Sequence, residues 1–374
     1  MITDSPFSSY AALLREFIDR HSAPGRTHES HDDAFNGLAL TLFALQFTHN
    51  PAYRRFCESR KATPQTARHW REIPAIPAVG FKELELTSLA PDQRTHVFHS
   101  SGTTDQRPSR HFHNPESLSL YEASLLPWFQ THLPHGPAER QAPHFLILTP
   151  PPSQAPHSSL VHMFDAIRRN LGSPDSIFTG HVLDDGAWHL DFEKTIAVLR
   201  DSIQSQRPLA LLGTAFSFVH LLDGLEQINL TLQLPTGSFA LETGGYKGRS
   251  RTLPKPELHA LMTSLLGIPA THIVCEYGMS ELSSQAYDSV PGQPQSAARA
   301  FHFPPWARSQ IISPETGREV AEGETGLIRI FDLANVLSVM AIQTEDLGIR
   351  RGSGFELIGR AALADARGCS LMSL

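Results

Sequence analysis

Cysteine is scarce in this chain: Cys57, Cys275 and Cys369 are the only three among 374 residues. They are too few and too scattered for a disulfide framework or for zinc-ligand spacing in the sequence, and they suit a reducing compartment. His111 and His113 form a pair with no further ligands at metal spacing, so no transition metal is expected. Basic charge is also in short supply. Thirty-one Lys and Arg face 38 Asp and Glu, for a formal net charge of −7. With no Lys/Arg block there is no electrostatic footprint for nucleic acid, and the acidic balance is wrong for a membrane-surface anchor. No uninterrupted apolar run approaches the roughly 18 residues of a membrane span. The opening MITDSPFSSYAALLREF places Asp4 early and lacks a basic segment followed by an apolar one, so no signal peptide is expected and the expected location is cytoplasmic.

Repeats and low-complexity blocks are absent too, and the 28 prolines and 25 glycines punctuate the whole chain instead of marking one linker. The single boundary expected is the Gly-Ser-Gly turn at Gly352–Gly354. It divides a main domain, 1–352, from a short tail, 353–374. A chain this long buries a substantial core without cross-links.

Apolar residues fall at helical spacing over Ser8–Ile18 and Asp33–Thr48. A short segment, Thr95–Phe98, then leads into a Ser/Gly/Thr cluster. His144–Leu148 predicts a buried strand and Ser159–Leu171 a helix, followed by a strand at Leu209–Leu212 and a helix at Phe216–Leu225. Phe239–Leu241 and Ile273–Cys275 continue the alternation, which predicts α/β layers around a buried sheet. Thr325–Phe331 and Val336–Ile342 read as a β-rich part after it.

Three segments carry candidate chemistry. His99-Ser100-Ser101-Gly102-Thr103-Thr104 is a hydroxyl-rich loop whose glycine lets backbone N–H groups approach a polyphosphate. It lacks the Gly-Lys-Ser/Thr ending of a Walker loop, and read alone it is equally a polar surface turn. In Glu242-Thr243-Gly244-Gly245-Tyr246-Lys247-Gly248-Arg249-Ser250-Arg251, paired glycines after an apolar strand permit close approach to a flat ligand. Its basic residues offer anion contacts. A solvated basic turn would look the same. Glu276-Tyr277-Gly278-Met279-Ser280-Glu281 offers an aromatic ring for a purine and a carboxylate for Mg²⁺ near phosphates. The alternative is a strand-to-helix turn with Ser280 as N-cap.

Taken in order, these segments followed by Thr344-Glu345-Asp346 and Gly359-Arg360 resemble the adenylate-forming superfamily of acyl-CoA ligases, luciferases and adenylation domains. Three stretches are similar to the acyl-protein synthetases of bacterial fatty-acid reductase complexes, the LuxE type: 242–251, 277–285 and 367–371. The resemblance runs from about Ser100 onward. It implies the large N-terminal α/β domain of an adenylate-forming enzyme, with a β-rich subdomain and a truncated C-terminal stub. It further implies ATP and Mg²⁺ as cofactors. Ser100, Ser101, Gly102, Thr103 and Thr104 would then embrace the phosphates, while Gly244 and Gly245 line the adenine. Tyr277 would stack on the adenine within the segment Glu276, Gly278, Met279 and Ser280, and Glu281 would hold the metal. Asp346 would bind the ribose, Arg360 would lie near the ribose or α-phosphate, and Gly213, Thr214, Ala215 and Phe216 would wall the acyl pocket.

The sequence departs from the superfamily pattern at one point. Most members of the superfamily use a lysine on a mobile C-terminal domain to neutralise the reacting anions, whereas the last lysine here is Lys255. Two anions approaching each other need a cation. Lys247 is the expected substitute, with Arg249 and Arg360 as competitors. Cys369 follows Arg367 and Gly368, a cation that favours thiolate and a flexible neighbour. By itself a lone Cys is equally an incidental thiol. The resemblance makes it the acyl carrier; Cys275, in an expected buried strand, and Cys57, in the N-terminal region, are read as structural.

The expected reaction is therefore fatty-acid activation to acyl-AMP and transfer to Cys369. The acyl group would go on to an acyl reductase, with an acyltransferase as a further partner, in luminescence or another fatty-aldehyde route. Two alternatives remain at this level: a ligase of phenylacetate-CoA ligase type acting on coenzyme A or a carrier protein, and an inactive nucleotide-binding subunit of a reductase complex.

Overall fold

The computed structural model describes residues 5–22, 31–100, 107–133, 142–244, 251, 253–294 and 299–360. Helices α1 (Pro6–His21), α2 (Asp32–His49) and α3 (Pro51–Ser59) open the chain. Strand β1 (Ile76–Pro77), the short α4 (Gly80–Glu83) and the antiparallel pair β2 (His96–His99) and β3 (Arg110–His113) follow. The α/β layers comprise α5 (Pro115–Gln130), β4 (His144–Ile147), α6 (Ser159–Leu171), β5 (Ile177–Phe178), β6 (Gly180–Val182), β7 (Trp188–Leu190), α7 (Phe192–Ser205), β8 (Leu209–Thr214), α8 (Ala215–Gln227), β9 (Phe239–Thr243), α9 (Lys255–Leu266) and β10 (Ile273–Tyr277). Strands β11 (Ala286–Tyr287), β12 (Ala307–Ile312), β13 (Thr325–Asp332), β14 (Ala341–Arg351) and β15 (Gly354–Arg360) complete the described chain.

Two sheets organise these elements. The first runs β11-β10-β9-β8-β4-β5, parallel except for its β11 edge. Its central strands are buried throughout, as their near-continuous apolar sequences require of a sheet covered on both faces. α8 and α9 pack with Leu211, Ala240 and Ile273 on one side, while α5 and α6 pack with Phe145, Leu212 and Val274 on the other. The second sheet is β1-β14-β13-β12 with β15 on β14, antiparallel apart from β1. α2 lies against it through Phe35, Leu42 and Phe43, and Trp70, in a short turn further along the chain, packs edge-on against Phe331 of β13.

Most elements stand where the apolar periodicity puts them. Two do not. Val336–Ile342 is an extended run by composition, yet β14 begins only at Ala341. Residues 336–340 turn because Asn335 and Gln46 recruit their backbone: the Asn335 amide donates to Val339 O at 3.0 Å, and Met340 N–H donates to Gln46 Oε1 at 3.1 Å. Nor does a helix follow Ser280, since the chain turns directly from β10 into antiparallel β11. Gly352–Gly354 is the turn of the β14–β15 hairpin, so Gly354–Arg360 belongs to the second sheet. Among the described residues, no helix is long and apolar enough to cross a membrane.

Candidate active site

Strands β8, β9 and β10 end side by side at Thr214, Thr243 and Tyr277. The crevice beyond the carboxyl ends of parallel strands is where open α/β sheets bind ligands. Gly213 fits because an added Cβ would lie 3.2 Å from Leu148 and 3.3 Å from Phe218. Thr214 caps α8, its hydroxyl accepting from Ser217 N–H at 3.0 Å, and Ala215 and Phe216 are buried in the first turn of that helix. One strand over, Gly244 follows Thr243, and among the described residues nothing lies within 4 Å of where a Cβ would stand.

The stems of the hydroxyl-rich loop are tied to the turn after β10 by a line of four residues. Ser100 N–H donates to Ser109 Oγ at 3.2 Å and Ser109 N–H donates back to Ser100 Oγ at 3.0 Å. Ser109 and Ser280 hydroxyls meet at 3.2 Å, and Ser280 Oγ–H donates to Glu281 Oε2 at 2.9 Å. Because Ser280 gives its only proton to Glu281, Ser109 must be the donor to Ser280. Behind this line the buried His111 places Nδ1 2.9 Å from Ser280 O, and burial lowers its pKa to about 4, so the ring is neutral.

Tyr277 reaches the other way, toward the second sheet. Its hydroxyl donates to Asp346 Oδ2 at 2.9 Å, while its ring meets the edge of Phe355 at a centroid distance of 5.2 Å. Asp346 faces Arg360 across the β14–β15 pair, with Arg360 Nε 3.6 Å from Asp346 Oδ1. Arg360 remains largely exposed, so this ion pair contributes little to stability and leaves the guanidinium available.

Beneath the turn lies a buried polar cluster that sequence reasoning missed. Asp332 Oδ2 accepts from the backbone N–H of Ser283 and Ser284 at 2.9 and 2.8 Å, and Oδ1 accepts from Ser284 Oγ and Ala334 N–H at 2.7 and 3.0 Å. Asn335 donates to Glu281 O at 2.8 Å and accepts from Ser283 Oγ at 2.7 Å. These groups are about fifty positions apart in sequence. The only local hint was a pair of serines directly after an otherwise apolar Leu282. Glu276 is also fully enclosed. Burial pushes its carboxyl up to about 7; a hydrogen bond from Thr243 opposes the shift and the neighbouring Glu242 adds to it.

The structure thus brings together Ser100, Glu276, Tyr277, Gly278, Met279, Ser280, Glu281, Asp346 and Arg360 beside Gly213–Phe216 and Gly244. Ser101, Gly102, Thr103, Thr104, Gly245, Lys247, Arg249 and Cys369 lie outside the described residues. A single carboxylate among hydroxyls is an all-oxygen donor set, which suits a hard cation such as Mg²⁺ held jointly with substrate phosphates. The donor chemistry at Glu281 therefore fits the metal implied by the sequence.

A family model described as acyl-protein synthetase, LuxE, matches residues 22–373. The chain belongs to that family. Two relatives of this LuxE-family chain carry the name long-chain-fatty-acid–luciferin-component ligase. The one from Vibrio harveyi is 22% identical over 349 residues, spanning 89% of this chain and 85% of its own. The one from Aliivibrio fischeri is 24% identical over 194 residues, 49% of each. Among solved structures, an open conformation of 2-hydroxyisobutyryl-CoA ligase with 2-HIB-AMP and CoA superposes with a TM-score of 0.64 at 13% identity. The match covers 88% of this chain and 70% of that one. ATP-bound MatB from Rhodopseudomonas palustris gives a TM-score of 0.50 at 17% identity, covering 95% and 72%. The expected fold is the observed one: this LuxE-family ligase has the α/β architecture of adenylate-forming enzymes.

Proposed function

We propose that this protein uses ATP to activate a long-chain fatty acid as an acyl-adenylate and then carries the acyl group on Cys369 for delivery to an acyl reductase. The observation that supports it most is the Ser100–Ser109–Ser280–Glu281 line. It joins the stem of a phosphate-binding type of loop to a buried carboxylate, at the edge of a crevice bordered by Tyr277 and Asp346.

In this reading Tyr277 and Gly244 flank the adenine, and Asp346 accepts from the ribose hydroxyls in place of the Tyr277 hydroxyl or beside it. Glu281 anchors Mg²⁺, which supplies charge neutralisation at the phosphates when bound. A carboxylate oxygen of the fatty acid attacks the α-phosphorus and pyrophosphate leaves. Lys247 supplies the cation for this encounter of anions, with Arg360 close to the ribose side. The Gly213–Phe216 segment borders the acyl group. The Cys369 thiolate then attacks the acyl carbon, forming the thioester and releasing AMP. An acyltransferase is a further candidate partner upstream.

The test is fatty-acid-dependent ATP–pyrophosphate exchange combined with intact-protein mass. Glu281→Gln should slow exchange on the order of a hundredfold or more, the typical cost of a lost electrostatic stabiliser. Its melting temperature should stay near that of the wild type. Cys369→Ser should keep exchange and lose the hydroxylamine-labile acyl mass. Full exchange in Glu281→Gln removes the metal role. Consumption of coenzyme A without protein labelling assigns the chain to the coenzyme A ligase class instead.

A further inference from the structure

On the face of β9 and β10 opposite Thr243 and Glu276, three side chains converge that the adenylation reading does not use. Glu242 and Cys275 are register partners on adjacent strands, so both point to the same side, toward α9. His259, one turn beyond Lys255 on α9, meets them. The Cys275 Sγ lies 3.3 Å from Glu242 Oε2 and 3.7 Å from His259 Nε2, and those two last atoms are 3.6 Å apart. All three residues are buried, at 2%, 1% and 9% exposure for Glu242, Cys275 and His259.

We propose that Glu242, His259 and Cys275 form a binding site for a zinc-class divalent cation, with a fourth position left for water or a small anion. Zinc bonds of about 2.0 Å to N or O and about 2.3 Å to S, arranged tetrahedrally, separate N from O by about 3.3 Å and sulfur from either by about 3.5 Å. The observed 3.6 Å for N to O and 3.3 and 3.7 Å from sulfur lie close to these values, so small side-chain adjustments would seat the ion. Thiolate, imidazole and carboxylate together are the donor set of a borderline-soft ion and would select against Mg²⁺ or Ca²⁺. An entry path exists as well. A cavity of about 370 Å³ lined by Lys255, His259, Thr263 and Arg299 opens beside the trio. Arg299 is committed to Asp288 at 2.7 Å, and the Lys255 ammonium lies 5.3 Å from the Phe301 ring centre. Lys255 also interacts with Cys275 and Glu242, so the cation would take over the partners of this ammonium. On binding, the Cys275 S–H proton is released to solvent as the S–metal bond forms, so uptake of one ion releases one proton.

The sequence did not announce this site because its ligands are separated by 17 and 16 positions, on a strand, a helix and a second strand. Its location gives it a consequence: the ion would tie β9, β10 and α9 together directly behind the strand ends that carry Gly244 and Tyr277.

The proposal is tested with the full chain carrying Cys369→Ser, titrated with Co²⁺ alone. Cys57 is buried in the N-terminal core, and among the described residues it belongs to no cluster of three metal-ligating side chains, so it offers no competing site. One equivalent of Co²⁺ should give thiolate-to-cobalt charge transfer and intense tetrahedral d–d absorption, with one proton released. Zn²⁺ should displace it. Cys275→Ala should abolish the charge-transfer band. His259→Gln, at the edge of the cavity and less demanding for folding, should weaken Co²⁺ binding at least about tenfold while circular dichroism is unchanged. If Co²⁺ gives no charge-transfer band, or binds as tightly to His259→Gln, the proposal is overturned. The trio is then a metal-free thiol–carboxylate–imidazole network.

Discussion

Glu276 carries a direct consequence for pH behaviour. Its carboxyl titrates at about 7 in the folded protein because it is enclosed between strands, against 4.5 when the chain is open. Between those values the folded state holds a proton that the unfolded state has lost. The associated stability is therefore fully present below about pH 4.5 and is lost as pH rises through 7. A shift of that size corresponds to roughly 3 kcal/mol. Glu276→Gln, which cannot ionise, should melt close to wild type at pH 5 and several degrees higher at pH 8. Thermal melts across that range decide it; parallel curves for the two proteins would remove Glu276 as the source. Asp332 is shifted upward too, burial being countered by its hydrogen bonds, but the substitution isolates Glu276 from it.

At the scale of elements, the turn after β10 depends on a residue from β13. Asp332 ends that strand and fixes the backbone of Ser283, Ser284 and Ala334. Removing its carboxylate would strand three buried N–H groups, each costing about 1–3 kcal/mol. Asp332→Ala should therefore lower unfolding free energy by at least about 3 kcal/mol in denaturant titrations, and Asp332→Asn by distinctly less. Equal losses in the two variants would place the cost elsewhere. The same cluster marks the limit of what periodicity reveals. Strands such as Ile273–Tyr277, buried on both faces, announce themselves as short continuous apolar runs, and helices such as Ser159–Leu171 by apolar residues recurring on one face. The turn at 336–340 does not. Val336, Leu337, Val339 and Met340 are all buried, so hydropathy reads them as a strand. What bends them is hydrogen bonding to Asn335 and to Gln46 on α2, nearly three hundred positions away. The candidate site divides likewise: Tyr277, Glu281 and Asp346 could be found as motif letters, whereas Ser109 and Asp332 act only through partners the fold supplies.

At the scale of the whole molecule, the candidate site lies where the two sheets meet. Tyr277 closes the last parallel strand and Asp346 sits on the antiparallel sheet, joined through one hydroxyl. The first sheet is built of local βα steps, and the second gathers β1 from the early chain onto β14 near its end. A nucleotide in this crevice would touch both. Ligand binding confined to the native state stabilises it by about 2.7 kcal/mol at a hundred times the dissociation constant. Saturating AMP should accordingly raise the melting temperature, and hydrogen exchange should slow together in β10 and β14. Protection restricted to β10 would separate Asp346 from the nucleotide.

The Tyr277–Asp346 bond also has a bearing on timing. It occupies the acceptor that, in the proposed reading, the ribose of a nucleotide would claim. Arrival of ATP must then either share that acceptor or displace the phenol, and departure of AMP must let the phenol return. In the proposed reading the bond would act as a latch, loosened while an adenylate is held. Tyr277→Phe would leave the door without its catch, trading a slightly looser empty protein for a nucleotide that enters without competition.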